Sequence, residues 1–309
     1  MKDALRGIKR RLILTYFTVR NWWPIWYYIL NRCGRRLAAK YSKLSAKENE
    51  IAAAFLRDGI VISHISRFFS DDFTAALKNQ AKKLENFPEA PEVKGPYDKG
   101  AHKTFLTKLW GGYGAKLSKR DLESNFLIKL ALNDEMLKIA SSYLGACPKL
   151  FNFDLRRTII VSSGEGPRFS QRWHRDPEDK KMVKVFLYLS DVDEEGAGPF
   201  KYVLGSQPKG KWSKFYPQRP PAGTYPPEGV LEKAIPESDV LTCFGKAGTL
   251  IFCDTTGFHK GGFSTTRERL MLTITFVSEA SIVQRYFTFS DDVKSLSIAS
   301  PLARFALNL

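Results

Sequence analysis

His174 and Asp176 stand two residues apart in the stretch Gln171-Arg172-Trp173-His174-Arg175-Asp176-Pro177. Residues two apart in an extended segment point to the same side, so a neutral imidazole and an anionic carboxylate can close there on one ion. A second imidazole, His259, lies far downstream in Phe258-His259-Lys260-Gly261-Gly262. The chain between is long enough to form several strands and bring it back beside the first pair. Two His and one carboxylate on one face, with the opposite positions open, are the ligand set that suits non-haem Fe(II). A lone His-x-Asp is ordinary loop chemistry, and so short a motif carries little weight alone. Here, however, two of the chain's four His fall in these two contexts.

Arg269 adds a third constraint. It lies ten residues after His259 and opens the run Arg269-Leu270-Met271-Leu272-Thr273-Ile274-Thr275-Phe276-Val277. Alternation puts Leu270, Leu272, Ile274 and Phe276 on one face of a strand, and Arg269, Met271, Thr273 and Thr275 on the other. A guanidinium on the polar inner face of such a strand wants a carboxylate.

The order His-x-Asp, distal His, then Arg at the head of a strand resembles the phytanoyl-CoA dioxygenase-like family of iron- and 2-oxoglutarate-dependent oxygenases. Supporting segments are similar too: Phe55 to Ile62, Ala140 to Gly145, Leu189 to Gly196, and Val203 to Ser206. The resemblance spans about residues 46 to 280. One departure is Gln207, where many relatives carry a His after the Gly-Ser pair. The resemblance implies that His174, Asp176 and His259 hold Fe(II), that 2-oxoglutarate chelates the metal, and that O2 takes the last position. It also implies that Arg269 pairs bidentately with the distal carboxylate of 2-oxoglutarate. Related halogenases lack the carboxylate ligand so that chloride can bind; Asp176 therefore argues for hydroxylation. Lys184, Phe186 and Tyr188, at every second position of one strand, are candidates for the pocket wall, with ordinary packing as the alternative.

The elements that must position these residues read as helices followed by a β core. Ser45 stands three residues before Glu48, the shape of a capping box, and the following segment to Arg57 is a good helix former that ends before Gly59. A first strand is expected at Ile60 to Ile65, a second helix from Ser70 to about Asn86, a loop-rich excursion from Pro88 to Gly112, and one or two helices between Asp121 and Leu144. From Leu150 the pattern switches to period two. Leu150 to Val161, Val183 to Leu189, Leu250 to Cys253 and Leu270 to Val277 are strand candidates separated by turn residues. The fold class is therefore α+β, mainly β: a double-stranded β-helix, a jelly-roll or cupin-like barrel, with flanking N-terminal helices. The proline-rich loop 208–227 is too rich in Pro for a core element, and long loops of this kind often cover a site.

At 309 residues, 43% hydrophobic and 13% aromatic, the chain can bury a substantial core, and disorder is excluded for most of it. The four Cys form no Cys-x-x-Cys pair and read as reduced. The net charge of +16 is uneven: residues 1–44 hold eleven Lys or Arg against Asp3 alone. The domain division is thus a basic aromatic arm, 1–44, and an oxygenase-like domain, 45–309, with its core at about 150–280. Within the arm, Trp22, Trp23, Trp26, Tyr27 and Tyr28 lie between the basic clusters Arg10-Arg11 and Arg35-Arg36. Arg20 and Pro24 interrupt the apolar run at its middle, which argues against a transmembrane helix. Trp and Tyr favour the headgroup level, and basic clusters are drawn to anionic lipid. The expected partner is an anionic membrane surface or a glycolipid substrate, and the expected location is cytoplasmic, peripheral at the inner face of the plasma membrane. The competing reading of the arm is a helix that packs its aromatics onto the domain or a second subunit. No nucleic acid is expected, since no recognised binding motif accompanies the charge.

A basic, membrane-docking oxygenase is similar in design to the hydroxylases that act on the Kdo sugar of lipid A precursors. An acyl-CoA or small-metabolite hydroxylase of the same family is the alternative. A cupin-like protein that binds without catalysis is a further one, and it would need no Arg at 269.

Overall fold

The computed structural model describes residues 2–85, 106–111, 114–158, 160–161, 166–167 and 169–309; the side chains of 2–7, 10, 84, 85 and 106–111 lie outside that description. The chain opens with helix α1 (Lys2–Arg20), a π-helical turn (Ile25–Leu30), α2 (Arg32–Tyr41) and α3 (Ala46–Asp58), then strand β1 (Ile60–His64) and α4 (Asp71–Glu85). Next come β2 (Leu106–Gly111), β3 (Lys116–Leu117), α5 (Lys119–Ser124), α6 (Phe126–Ala131) and α7 (Asp134–Leu144). Strands β4 (Lys149–Thr158), β5 (Met182–Tyr188) and β6 (Phe200–Val203) follow, then α8 (Val230–Ala234) and β7 (Val240–Cys243). The chain closes with β8 (Thr249–Cys253), β9 (His259–Lys260), β10 (Arg269–Val277), β11 (Thr288–Phe289) and α9 (Pro301–Leu307).

The strands form a major sheet in the order β1-β8-β5-β10-β4-β2 and a minor sheet in the order β7-β6-β9, both antiparallel throughout. Alternation along the major strands decides what each face meets. Leu155, Val185, Leu187, Leu250, Phe252, Leu272, Ile274 and Phe276 turn outward and pack with α3, α6, α7 and α9 in one cluster. Phe186, Tyr188, Ile251, Cys253 and Met271 turn inward and meet Phe200, Tyr202 and Cys243 of the minor sheet. Two antiparallel sheets sharing one buried layer, with helices over the outer face, make a mixed helix and sheet fold consistent with a jelly roll.

The helix limits follow local chemistry. Ser45 and Glu48 form the expected capping box on α3, and Gly59 ends it at φ 77°, a left-handed conformation that costs glycine nothing. The segment from Asp121 to Leu144 divides among three helices where one or two were expected, because the side chains of Asn125 and Asn133 each accept backbone N–H groups and start a new one. Most of the loop expected from Pro88 to Gly112 lies outside the described residues, but its last part is a strand, β2, paired with β4.

Candidate metal centre

His174 reaches the site on an extended segment bridged to β9: its amide donates to His259 O (3.0 Å) and its carbonyl accepts from His259 N (3.1 Å). Asp176, two residues on, is pinned by its own amide on Thr255 O (2.8 Å). The turn that returns the chain from β8 to β9 is built on Asp254, whose carboxylate accepts from Thr256 N, Thr256 Oγ1 and Tyr143 Oη at 2.7–2.9 Å. A side chain at Gly257 would collide with the Tyr202 hydroxyl and Ser206 Oγ, so glycine alone lets this turn close so tightly.

The result is a buried triad. One ligand atom each from His174, Asp176 and His259 all lie within 4.8 Å of one another. Each imidazole Nε2 is 3.5 Å from a different oxygen of Asp176, and the rings are 4.1 Å apart. Each Nδ1 faces a backbone carbonyl, Arg172 O at 2.8 Å and Gly257 O at 3.0 Å. A carbonyl can only accept, so Nδ1 carries the proton and the Nε2 lone pair points at the ion position. Burial and the neighbouring His174 lower the His259 pKa to about 3, which keeps it neutral and able to ligate. Burial would raise the Asp176 carboxyl, but the Lys184 ammonium beside it outweighs this and holds it well below the usual range.

Of the three candidates on β5, Lys184 is the one that reaches the triad, its Nζ 2.5 Å from Asp176 Oδ2. Phe186 stacks against Phe200 in the layer between the sheets. Tyr188 is fully buried there, donating to Cys243 O and accepting from Phe200 N. Neither lines the cavity of about 1120 Å³ that opens beside the triad. That cavity is bounded by Phe169, Arg172, Glu178, Tyr225 and Tyr286 together with the metal-binding segment. Pro221 to Gly223 and Tyr225 also bound it, so the proline-rich loop forms one side of the site, and the Tyr225 ring stacks on His174 at 5.1 Å.

Arg269 heads β10 on its inner face and is 1% exposed. Its Nη1 donates to Gly198 O (2.5 Å) and its Nη2 to Thr158 Oγ1 (3.2 Å), while Nε has no partner. Among the described residues no carboxylate pairs with it; burial therefore lowers its pKa, countered in part by the Tyr188 hydroxyl. A side chain at Gly262 would strike both Gly198 O and Arg269 Nη1, which explains a Gly-Gly step just after His259. Three further polar residues of this face were not marked out by the sequence. Arg156 is held bidentately by Asp154, at 2.5 and 2.8 Å, and Asn152 donates to the same carboxylate. Their signal was present as alternation: Asn152, Asp154, Arg156 and Thr158 take every second place in β4, opposite Thr275, Thr273, Met271 and Arg269.

The chain shares its architecture with solved iron-bound and non-haem alpha-ketoglutarate-dependent proteins. The epimerase SnoN, solved with Fe3+, alpha-ketoglutarate and nogalamycin RO, superposes with a TM-score of 0.53 at 17% identity, over 75% of this chain and 84% of that one. EctD from S. alaskensis with bound Fe gives 0.53 at 18%, over 79% and 80%. The non-haem alpha-ketoglutarate-dependent carbocyclase SnoK from nogalamycin biosynthesis gives 0.51 at 16%, over 85% and 96%. It has their fold. No protein-family model matches the sequence, and no curated protein does.

Gln207, the departure from the family pattern, is buried and donates to Arg57 O (3.0 Å), a packing role away from the triad. In the arm, Trp26 is 0% exposed and its Nε1 donates to Asp179 Oδ1 (2.9 Å); Trp23 stacks on Tyr27 at 4.8 Å. Trp22 and Tyr28 are exposed, as are Arg11, Arg35 and Arg36 to varying extents, and the side chain of Arg10 lies outside the described residues.

Proposed function

We propose that this protein is a non-haem Fe(II)- and 2-oxoglutarate-dependent dioxygenase that hydroxylates a C–H bond. The observation that carries the reading is the pairing of a preoriented His-Asp-His triad with Arg269, a fully buried cation that no described carboxylate neutralises. A buried charge persists only if something compensates it. The unpartnered Nε, on a guanidinium that can grip a carboxylate by two bonds, fits the distal carboxylate of 2-oxoglutarate. When bound, Fe(II) with 2-oxoglutarate and O2 supplies the oxidant for hydroxylation. His174 and His259 would hold the metal through Nε2, and Asp176 through whichever oxygen Lys184 leaves free. Asp176 also fills the position that a halide would need, which favours hydroxylation over halogenation.

The substrate we propose is anionic and membrane-associated, such as a Kdo-containing lipid A precursor met at the inner face of the plasma membrane. The cavity supports it: Phe169, Tyr225 and Tyr286 offer aromatic faces, and Arg172 and Glu178 offer polar contacts of both signs to a hydroxyl- and carboxylate-bearing ring. An acyl-CoA would suit the basic charge but leave the aromatic walls less used. Succinate release from 2-oxoglutarate with Fe(II) and ascorbate, with and without membrane extract, tests the reading. Stimulation by the glycolipid fraction is the expected result. Turnover with acyl-CoA alone would replace the substrate, and ligand binding without any succinate would leave a non-catalytic cupin-like binder.

A further inference from the structure

The aromatic residues that mark the arm in the sequence are largely spent on holding it in place. Trp26 is sealed against Asp179, Tyr27 occupies the space over Gly145, and Lys209 sits 4.5 Å over the Trp23 ring. What stays outside is a different surface. With 3.6 residues per turn, Ile8, Leu12, Tyr16 and Val19 fall within an arc of roughly 80° on α1. All four are exposed, Leu12 the most at 66%, and Trp22 continues the stripe at 62%. Phe17, well away from the stripe, is buried, and so is Arg20, which follows Tyr16 at the stripe's edge. The helix is anchored near its C-terminal end, where Phe17 and Arg20 are buried, and the stripe runs along the part that stays outside. Lys9 and Arg11, both exposed, flank the stripe on its two sides.

We propose that this outward face of α1 is a docking surface for an anionic lipid bilayer, with α1 lying in the plane of the headgroups. An apolar arc edged by basic residues fits that environment, because the stripe enters the acyl boundary while long basic side chains bend back to the phosphates. The charge is one-sided as the partner requires: residues 1–44 contain Asp3 as their single acid against eleven Lys and Arg. None of the described helices is long and apolar enough to cross a membrane, which agrees with a helix that lies on one. A second copy of the chain is a poorer occupant, since it would bring the same unbalanced positive charge against itself. The proposal stands apart from the oxygenase reading and needs no activity to be tested.

The test is flotation of the full-length protein with vesicles of phosphatidylcholine plus phosphatidylglycerol, and with phosphatidylcholine alone. The wild type is expected to float with the anionic vesicles, at least about tenfold more than with the neutral ones, and to be released by salt. The double variant Leu12→Glu/Val19→Glu should lower the bound fraction by about tenfold or more. Both side chains are exposed, so its thermal melt should match the wild type. A second variant, Lys9→Glu/Arg11→Glu, should bind less and be less sensitive to salt. Equal flotation of Leu12→Glu/Val19→Glu and wild type, or equal binding to neutral vesicles, overturns the proposal. So does a wild type that ignores vesicles yet sediments as a dimer that Leu12→Glu/Val19→Glu dissociates, which would make the stripe a self-interface.

Discussion

The triad is oriented by bonds that no metal makes. Carbonyl oxygens of Arg172 and Gly257 fix both imidazoles, and Lys184 holds one oxygen of Asp176. His174→Ala, Asp176→Ala and His259→Ala are each expected to lose bound iron and succinate formation while keeping the wild-type circular dichroism spectrum, because the hydrophobic layers close without the ion. Iron retained at full stoichiometry with activity would remove that residue from the set. Arg269→Ala should raise the 2-oxoglutarate concentration for half-saturation by roughly a hundredfold, about 3 kcal/mol, and change the iron requirement little. Arg267 is the natural control: it lies two residues away, exposed, and pairs with Asp193 and Glu194, so Arg267→Ala should leave both requirements alone. At this scale the gathering of His174, Asp176 and His259 and the inward position of Arg269 were legible because residue type and alternation are local properties. Lys184 was legible as a position on the right face but not as the partner of Asp176, since that pairing depends on how far a turn carries the carboxylate.

Alternation inside the His-x-Asp segment gives Arg175 a task opposite to that of its neighbours. While His174 and Asp176 face the ion, the buried Arg175 guanidinium donates to four carbonyls, those of Ser206, Thr256, Trp212 and Phe215, and lies 3.8 Å over Phe258. It ties the start of the proline-rich loop to the segment that carries His174 and Asp176. Arg175→Ala would orphan several buried carbonyls at about 1–3 kcal/mol apiece, not strictly additive, so the loop should detach before the sheets do. Limited proteolysis should then cut between residues 206 and 217 well below the melting temperature, with weaker iron retention; a loop as resistant as the wild type's would refute this. Sequence patterning caught the strands β4, β5, β8 and β10 nearly to their ends, because runs of five to ten residues carry enough apolar positions to outvote a stray one. It missed β6, β7 and β9, which span two to four residues and exist only because the site's turns bring them together. The short helices α5 and α6 escaped as separate units for a related reason, since each asparagine cap reads equally well as a loop residue.

For the molecule as a whole, charge suggests a division at residue 44, and packing draws it elsewhere. Beyond the Trp26 bond to Asp179, Gly34 N donates to Glu279 Oε2 (2.9 Å), Gly34 O accepts from Cys147 N (3.0 Å), and Asn31 Oδ1 accepts from Ala280 N (3.0 Å). Residues 26–41 are thus built into the body that carries the site, and Asp179, their anchor, stands three residues after the ligand Asp176. Composition showed the basic arm but could not show this, since a Trp on a membrane and a Trp on a carboxylate read alike in a sequence. Two truncations separate the roles. Removing residues 1–20 takes away the exposed stripe of α1 and, among the described side chains, only Phe17 and Arg20 as buried ones, so succinate formation from a soluble assay and the melting temperature should stay close to wild type. Removing residues 1–44 deletes Trp26 and leaves the Asp179 carboxylate without one of its donors in a fully buried position, at a cost of about 1–3 kcal/mol for that bond before any lost packing is counted. For a chain of this size each such loss lowers the melting temperature by about 1.5 °C per kcal/mol, so with its packing lost as well the longer truncation should melt several degrees earlier and bind iron poorly. The replacement Trp26→Phe removes the donor together with part of the indole's buried volume while leaving the rest of the arm in place, and should fall between the two. A 1–44 deletion as stable and as iron-replete as the 1–20 deletion would show that the arm touches the body without supporting it.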